Sequence, residues 1–426
     1  MKHMWKKQGY LIFISVVLLS ISTKFLSLYK DRLVAYNFGL SNELDGFYFA
    51  LVFIAFPSAI YMNAVQTAIV PLSISYNKDG KIPLLVYRQI IARSVRDHSS
   101  LIVIWIVFSV LVVFMFNVEL DRAKFLAYWS LLNLPHVFLS GIVLVQHGVL
   151  QAMGYAKTVS LLPGLVSLFT VLFLLLSNSK TVELLALGHS VAVGVEFLIC
   201  KWILNESKSG DVNEADLKEF WKEVRTLSVM FIFLASVHVV DKMIALSLNV
   251  GDLTSVNFGS KIPLTVNGLI LTGINVALFP VFSKGALEHS LNEMKRLYFQ
   301  VAGILGLFLF LVAILGAIFS AEIVQIVFSG GSFGDGEISR VSAVQTWYFF
   351  TLPLAAIFTS GIKFLVGINK SSRVSNLTKI TVPVNIVASL TCAHFLGAEG
   401  IAIGSVIALL FSCVLMVFSV IGVTDS

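Results

Sequence analysis

Charge is scarce in this chain. Only 13% of its 426 residues are Asp, Glu, Lys or Arg, while 57% are hydrophobic. Soluble domains carry about twice that charge, so the balance excludes an evenly solvated enzyme. Cysteine is scarcer still. Cys200, Cys392 and Cys413 sit in apolar runs, with neither pair spacing nor a metal motif. They read as small core residues, not as a disulfide framework. There is no Gly-rich Walker A loop, which excludes a pump driven by ATP on its own. No His/Cys cluster has metal-ligand spacing, and no nucleophile elbow is present. No catalytic residue, cofactor, metal or nucleic-acid partner is therefore expected. His136, His147, His189 and His238 are scattered among apolar stretches and read as hydrogen-bonded packing residues.

Long apolar runs dominate instead. Stretches long enough to span a bilayer fall near 10–39, 45–75, 98–118, 125–152, 158–177, 182–204, 226–250, 255–283, 298–320, 341–367, 376–396 and 399–422. Lys2, Lys6 and Lys7 before the first run look like a signal peptide. No small-residue cleavage site follows, so the run is expected to be a first span. Of the 30 Lys and Arg residues, Arg122, Lys124, Lys180 and Arg340 fall in segments assigned to the outside. Six lie within spans and the remaining 20 in inward segments. The positive-inside rule then places both termini in the cytoplasm.

Six cations and three acids lie inside spans: Lys24, Lys30, Arg32, Lys242, Lys261 and Lys363 against Asp31, Glu196 and Asp241. Charges at that depth are costly and mostly face a protein interior or a watery cavity. Lys24 and Asp31 are seven residues apart and share a helix face. Lys24 lies about 21 Å from the start of its span, a poor position for snorkelling, whereas Arg32 suits either snorkelling or a cavity. If Lys24, Lys30, Arg32, Lys242 and Lys261 line one space, its natural guest is an anion such as a phosphate or pyrophosphate. Asp31 and Asp241 would hold the neighbouring cations, or bind a coupling cation. The alternative is a set of ion pairs that merely tie spans together. Glu196, alone in its span after Gly194, is a candidate proton-coupling carboxyl. Pro57, Pro135, Pro163, Pro263, Pro353 and Pro383 suit kinked helices.

The chain also repeats itself. Asp31-Arg32 returns 210 residues later as Asp241-Lys242, Pro71 returns 209 later as Pro280, and Gly154–Lys157 returns 213 later as Gly367–Lys370. The polar stretch 206–225 divides the copies and reads as a cytoplasmic amphipathic linker. The expected organisation is a six-helix bundle over 1–205, the linker over 206–225 and a second bundle over 226–426. This makes an all-α polytopic membrane protein of twelve transmembrane helices, in two pseudo-symmetric six-helix bundles around a central cavity.

The stretch STKFLSLYKDRLVAYNFGLSNELDGFYFA (22–50) resembles the opening of the MurJ (MviN) lipid II flippase family, of the multidrug/oligosaccharidyl-lipid/polysaccharide exporter superfamily. Lys24, Lys30-Asp31, Ala35–Gly39 and Asp45-Gly46-Phe47 occupy the family's positions. VNFGSKIPLTVNGLILTGINVALFPVFSK (256–284) is similar to its eighth span, with Lys261 at a cavity arginine, and IVFSGGSFG (326–334) to a later loop. The resemblance implies a flippase, not an enzyme, in the bacterial cytoplasmic membrane. It would move an undecaprenyl-pyrophosphate-linked glycan by alternating access, with Lys24, Lys30, Asp31, Arg32, Asp45, Asp241, Lys242 and Lys261 at the substrate site. Its expected partners are that lipid and membrane lipids, and it would act as a monomer. Three features depart from the family. Lysines replace its cavity arginines, and Pro57-Ser58 and Met62-Asn63 stand where it carries an arginine pair and a glutamate. The twelve expected spans are also two fewer than typical lipid II flippases have. Another lipid-linked surface glycan is the alternative cargo. A drug antiporter would want an acidic cavity, against the cation surplus here.

Overall fold

The computed structural model describes residues 2–76, 84–115, 120–204, 214–269, 290–368 and 370–423. These residues are almost wholly helical. The helices are α1 (Lys2–Phe38), α2 (Asn42–Tyr76), α3 (Leu84–Met115), α4 (Leu120–Ala152), α5 (Ala156–Leu161), α6 (Gly164–Leu176), α7 (Glu183–Leu204) and α8 (Glu214–Ser247). Then follow α9 (252–269), α10 (Leu291–Ile318), α11 (Ser320–Phe328), α12 (Asp335–Phe349), α13 (Thr351–Gly367), α14 (Ser371–Leu396) and α15 (Ala398–Ile421).

Nine helical stretches among the described residues are long and apolar enough to cross a bilayer, each falling on an expected span. α1, α8 and α9 lie on the other three. α8 and α9 carry Asp241, Lys242 and Lys261 along their length. The rest of the eighth span, including Pro280, lies outside the described residues. Two expected spans are broken helices. α5 and α6 meet at Leu162-Pro163, and α12 and α13 at Phe350. Pro353 sits in the first turn of α13, where a missing N–H costs nothing. The Thr351 hydroxyl donates to the Tyr348 carbonyl at 2.6 Å, the kind of side-chain contact that supports backbone at a break within a membrane. Pro135 and Pro383 lie inside continuous helices.

The chain forms two compact units: Met1–Leu33 with Gly46–Val239, and Val34–Asp45 with Val240–Ser426. The stretch expected as a separate linker is helical from Glu214 and runs unbroken into the seventh span. Packing is the reason. Phe220, Trp221 and Val224 are buried in the core of the first unit, with Met62, Ile69, Val149 and Leu204. The Arg93 guanidinium stacks 4.2 Å from the Trp221 ring centroid, a contact worth about 0.5–2 kcal/mol. The apolar stripe of this segment is therefore covered by protein.

In the second unit, α10 shows how one sequence serves two solvents. Ile304, Leu307, Phe308, Leu311, Leu315 and Ile318 are exposed at helical spacing, as a lipid-facing stripe should be. Ala302, Gly306, Leu309 and Ala313 are buried on the other side. Lipid offers no hydrophobic drive between helices, so close backbone approach has to hold them together. Gly400 and Gly404 of α15 supply it. A Cβ on Gly404 would stand 2.5 Å from the Cα of Ser389 in α14, and one on Gly400 would overlap the Cys392 carbonyl.

Candidate functional site

In the first unit, α1 buries an ion pair. Lys30 Nζ lies 3.1 Å from Asp31 Oδ1, with Asp31 fully buried and Lys30 9% exposed. Tyr48 of α2 is in electrostatic range of Asp31, and His136 of α4 of Lys30. Lys24 and Arg32 are exposed. The shared face of Lys24 and Asp31 is a matter of helix geometry, but burial changes along it. Over two turns the face passes from exposed to fully covered, so Asp31 takes Lys30 as its partner and not Lys24. The long lysine stem lets adjacent residues meet although their Cα–Cβ bonds diverge.

Glu196 has no other carboxyl within three turns on α7, but it is not alone in space. Its Oε1 lies 3.0 Å from His147 Nε2 of α4, both side chains buried. His136 Nδ1 is 3.3 Å from the His189 carbonyl of α7, and the two imidazole rings sit 5.1 Å apart. The expectation of hydrogen-bonded packing holds for His136. For His147 it does not, because the group it meets is a carboxyl. The pair joins residues 49 apart in sequence, a distance no local pattern reports.

In the second unit, Asp45 is 2% exposed and caps the start of α9 from the first turn of α2. Its Oδ2 accepts from Gly251 N at 2.6 Å, and its Oδ1 from Thr254 N at 2.7 Å and Thr254 Oγ1 at 2.6 Å. This is N-capping supplied from a distant helix, with the negative charge at the positive end of α9. Asp252 supports the same turn. It accepts from Asn249 N at 2.9 Å and from Arg340 Nη2 at 2.8 Å. Arg340 also donates to the Val250 carbonyl. The α11–α12 loop closes over the end of α1: Ser332 N donates to the Tyr36 carbonyl at 2.8 Å, and its own carbonyl packs against Gly39, whose φ of 56° favours glycine. Asp252, Arg340 and Ser332 were not singled out from the sequence, although the SGGSFG stretch was a visible signal for Ser332.

Deeper in the second unit, Lys242 Nζ donates to Asn257 Oδ1. Lys261 is one turn further along α9 from Asn257 and in electrostatic range of Lys242. The two lysines thus lie in electrostatic range of each other, with the carboxylates of Asp241 and Asp45 also in range of Lys242. Asp241 lies beside Ser389 of α14 and Tyr348 of α12. Asn385 Oδ1 is buried without a hydrogen-bond partner among the described residues, and the Ser389 hydroxyl is hydrogen-bonded to Asp241. Asn385 and Ser389 are one turn apart on α14. Neither was chosen from the sequence, because neutral residues in an apolar run carry no charge signal. No cluster of three or more His, Cys, Asp or Glu that would hold a metal occurs among the described residues.

A family profile described as lipid II flippase MurJ matches residues 34–421. No curated protein sequence matches. Among solved structures, a lipid II flippase MurJ in an inward closed conformation superposes with TM-score 0.72 at 18% identity, over 96% of this chain and 87% of that one. An inward-facing MATE multidrug transporter of the MOP superfamily gives TM-score 0.63 at 13% identity, over 95% and 97%. A MOP-superfamily transporter from Pyrococcus furiosus, described by the reversed polarity of its binding pocket, gives 0.58 at 14%, over 97% and 96%. At these identities the structures are alike in fold. MATE-type transporters share it with lipid II flippases.

Proposed function

The chain belongs to the lipid II flippase MurJ family, and we propose from that premise that it moves an undecaprenyl-pyrophosphate-linked glycan, lipid II or a related lipid-linked oligosaccharide, across the bacterial cytoplasmic membrane. In this reading it works as a monomer by alternating access between two six-helix bundles, with both termini in the cytoplasm. The observation that carries the reading is the approach of Lys242 to Lys261. Lys242 already has the carboxylates of Asp241 and Asp45 in range, and a second cation in the same membrane helices suits a further anion. A pyrophosphate supplies that anion and accepts hydrogen bonds from both ammonium groups.

The other residues fall into roles around it. Lys24 and Arg32 are exposed and free to meet a headgroup. The Lys30–Asp31 pair holds a compensated charge at the same helix. Asp241, with the oxygens of Asn385 and Ser389, is the preferred place for a coupling cation, since hard cations take oxygen ligands. Asp31 suits this less, because a cation there would have to displace Lys30. The same geometry serves another pyrophosphate-linked surface glycan equally well, and the replacement of family arginines by lysines leaves the glycan open. A cationic drug as cargo is disfavoured by the lysine pair.

The test is a flipping assay in vesicles with a fluorescent pyrophosphate-linked polyprenyl glycan. Lys261→Ala and Lys24→Ala should transport at least tenfold more slowly at matched protein levels. Lys24→Arg should keep most activity and Lys24→Glu should be slowest. If all four variants transport like the parent, the anion-site reading is wrong.

A further inference from the structure

The His147–Glu196 contact has no part in holding a pyrophosphate, since it is buried and includes a carboxylate. Glu196 is 4% exposed and His147 7% exposed. Neither His147 Nε2 nor Glu196 Oε1 has another hydrogen-bond partner among the described residues, so each faces the other alone at 3.0 Å. Buried ion pairs contribute little to stability compared with apolar packing of the same volume, and ionisable side chains inside membrane spans tend to carry function.

The surroundings narrow what the pair can do. On α7, Cys200 follows Glu196 by one turn and is in its electrostatic range, and His189 precedes it by two turns. On α4, His136 is in electrostatic range of Glu196 and, on its other side, of Lys30 of α1, which holds Asp31. α6, packed along α7, has no titratable residue. α5, packed on α4, carries Lys157, which is exposed. α3 brings His98 against Gly141 of α4, hydrogen-bonded to Ser58. Its Arg93 and Arg96 are engaged with Asp97. α2 places the neutral Gln66 beside Gly148, and α8 presents Phe220, Trp221 and Val224 to this core. Among the described residues, their own contact apart, no ion pair involves His147 or Glu196. A histidine and a carboxylate sharing one proton are neutral together, whichever atom holds it. Losing that proton would leave an uncompensated negative charge in a dry place.

We propose that His147 and Glu196 together form a proton-binding site inside the first unit, which takes up and releases a single proton as α4 and α7 move. The proton comes from water and returns to it. Only an N–H or O–H bond is made or broken, and no co-reactant is needed. While the helices are packed, the pair keeps its proton and its neutrality. When water enters between them, the carboxylate is solvated and the proton can leave. His136 and His189, two to three turns away on the same helices, lie between this pair and the Lys30–Asp31 pair. The site therefore forms one end of a row of titratable groups, the arrangement used by proton relays in membrane proteins. The coupling role rests on the transport reading above; the proton site itself does not.

The experiment counts protons. The full chain is reconstituted in phosphatidylcholine vesicles without lipid-linked substrate and titrated between about pH 5 and 9, a window that brackets the ordinary histidine range. Uptake is measured in a weakly buffered medium, and infrared difference spectra follow the carboxylic-acid carbonyl. Glu196→Gln keeps a hydrogen-bond partner for His147 and should bind one proton fewer per chain with an unchanged melting temperature. His147→Gln places an amide where Nε2 was and should displace the carboxyl titration by about one pH unit or more, the threshold for coupled sites. A structural pair would leave both titrations unmoved. Equal uptake by the parent and Glu196→Gln overturns the proposal. If Glu196→Gln does not fold, the parent with isotope-labelled glutamate and histidine decides: no labelled carboxyl or imidazole band changing in this window overturns it too. Since no substrate is present, failure here is separable from failure of the flipping assay.

Discussion

Replacing Asp45 with alanine removes the acceptor for two backbone amides and one hydroxyl, those of Gly251 and Thr254. All three bonds are buried. A buried donor left without a partner costs about 1–3 kcal/mol, and loss of an N-cap costs about 0.5–2 kcal/mol. The Thr254 hydroxyl can rotate to another acceptor, so the two amides dominate and the total is about 3–5 kcal/mol. For a domain of about 150–250 residues each kcal/mol moves the melting temperature by about 2–4 °C, which gives a fall of about 6–20 °C. Asp45→Asn keeps one carbonyl acceptor but turns an NH2 toward a donor, so about half that fall is expected. The assay is thermal unfolding of the detergent-purified chain by tryptophan fluorescence, at one scan rate because membrane proteins seldom refold. The reasoning fails if Asp45→Ala melts like the parent while flipping of the pyrophosphate-linked lipid is lost. The carboxylate would then act on substrate and not on α9.

Other outcomes follow from the same geometry. Lys242→Ala should slow flipping by about tenfold to a hundredfold, the effect of losing one charge-assisted contact of about 1.5–3 kcal/mol; a parent-like rate would remove Lys242 from the site. Gly404→Leu should separate α14 from α15 and lower the melting temperature by several degrees, whereas Gly268→Ala, with none of the described residues within 4 Å of its Cβ position, should change it by no more than about 2 °C, the scale of a surface change of about 0.5 kcal/mol. For topology, membrane-impermeant thiol reagents should label single cysteines at Asn42 and Ser332 from outside and not at Asn213. Labelling at Asn213 in intact cells would reverse the orientation. Asp252 is a poor probe position, because Arg340 and Asn249 hold it buried.

The spans were legible because bilayer thickness dictates apolar length, and that constraint acts on every span separately. The face shared by Lys24 and Asp31 was legible for a similar reason, since a helix period fixes direction. What covers that face is not periodic, so the step from exposed Lys24 to buried Asp31 was invisible. The segment before the seventh span read as an amphipathic linker, whereas its apolar side is covered by Arg93 and by a core drawn from Met62 to Leu204. Glu196 read as solitary because His147 lies on another helix. Asp45 read as a substrate residue because the motif containing it is conspicuous, whereas the amides it caps have no side-chain signature. Asn385 and Ser389 were missed because uncharged residues in an apolar run look like packing.

The cap between Asp45 and α9 also has a timetable. Thr254 is 209 residues downstream of its acceptor. At about 5–20 residues per second, a ribosome needs about 10–40 s to make the second partner after the first has emerged. Throughout that interval the start of α2 holds a carboxylate with no native donor, while the rest of α2 already has α3, α4 and α7 to pack against. The stretch 34–45 must therefore wait, at the membrane surface, for a helix that does not yet exist. Its short polar composition, with Asn37, Ser41, Asn42 and Glu43 around the turn, keeps it hydrated meanwhile. A ribosome stalled before Thr254 would leave a nascent chain whose first four spans resist protease while this one turn is still cut.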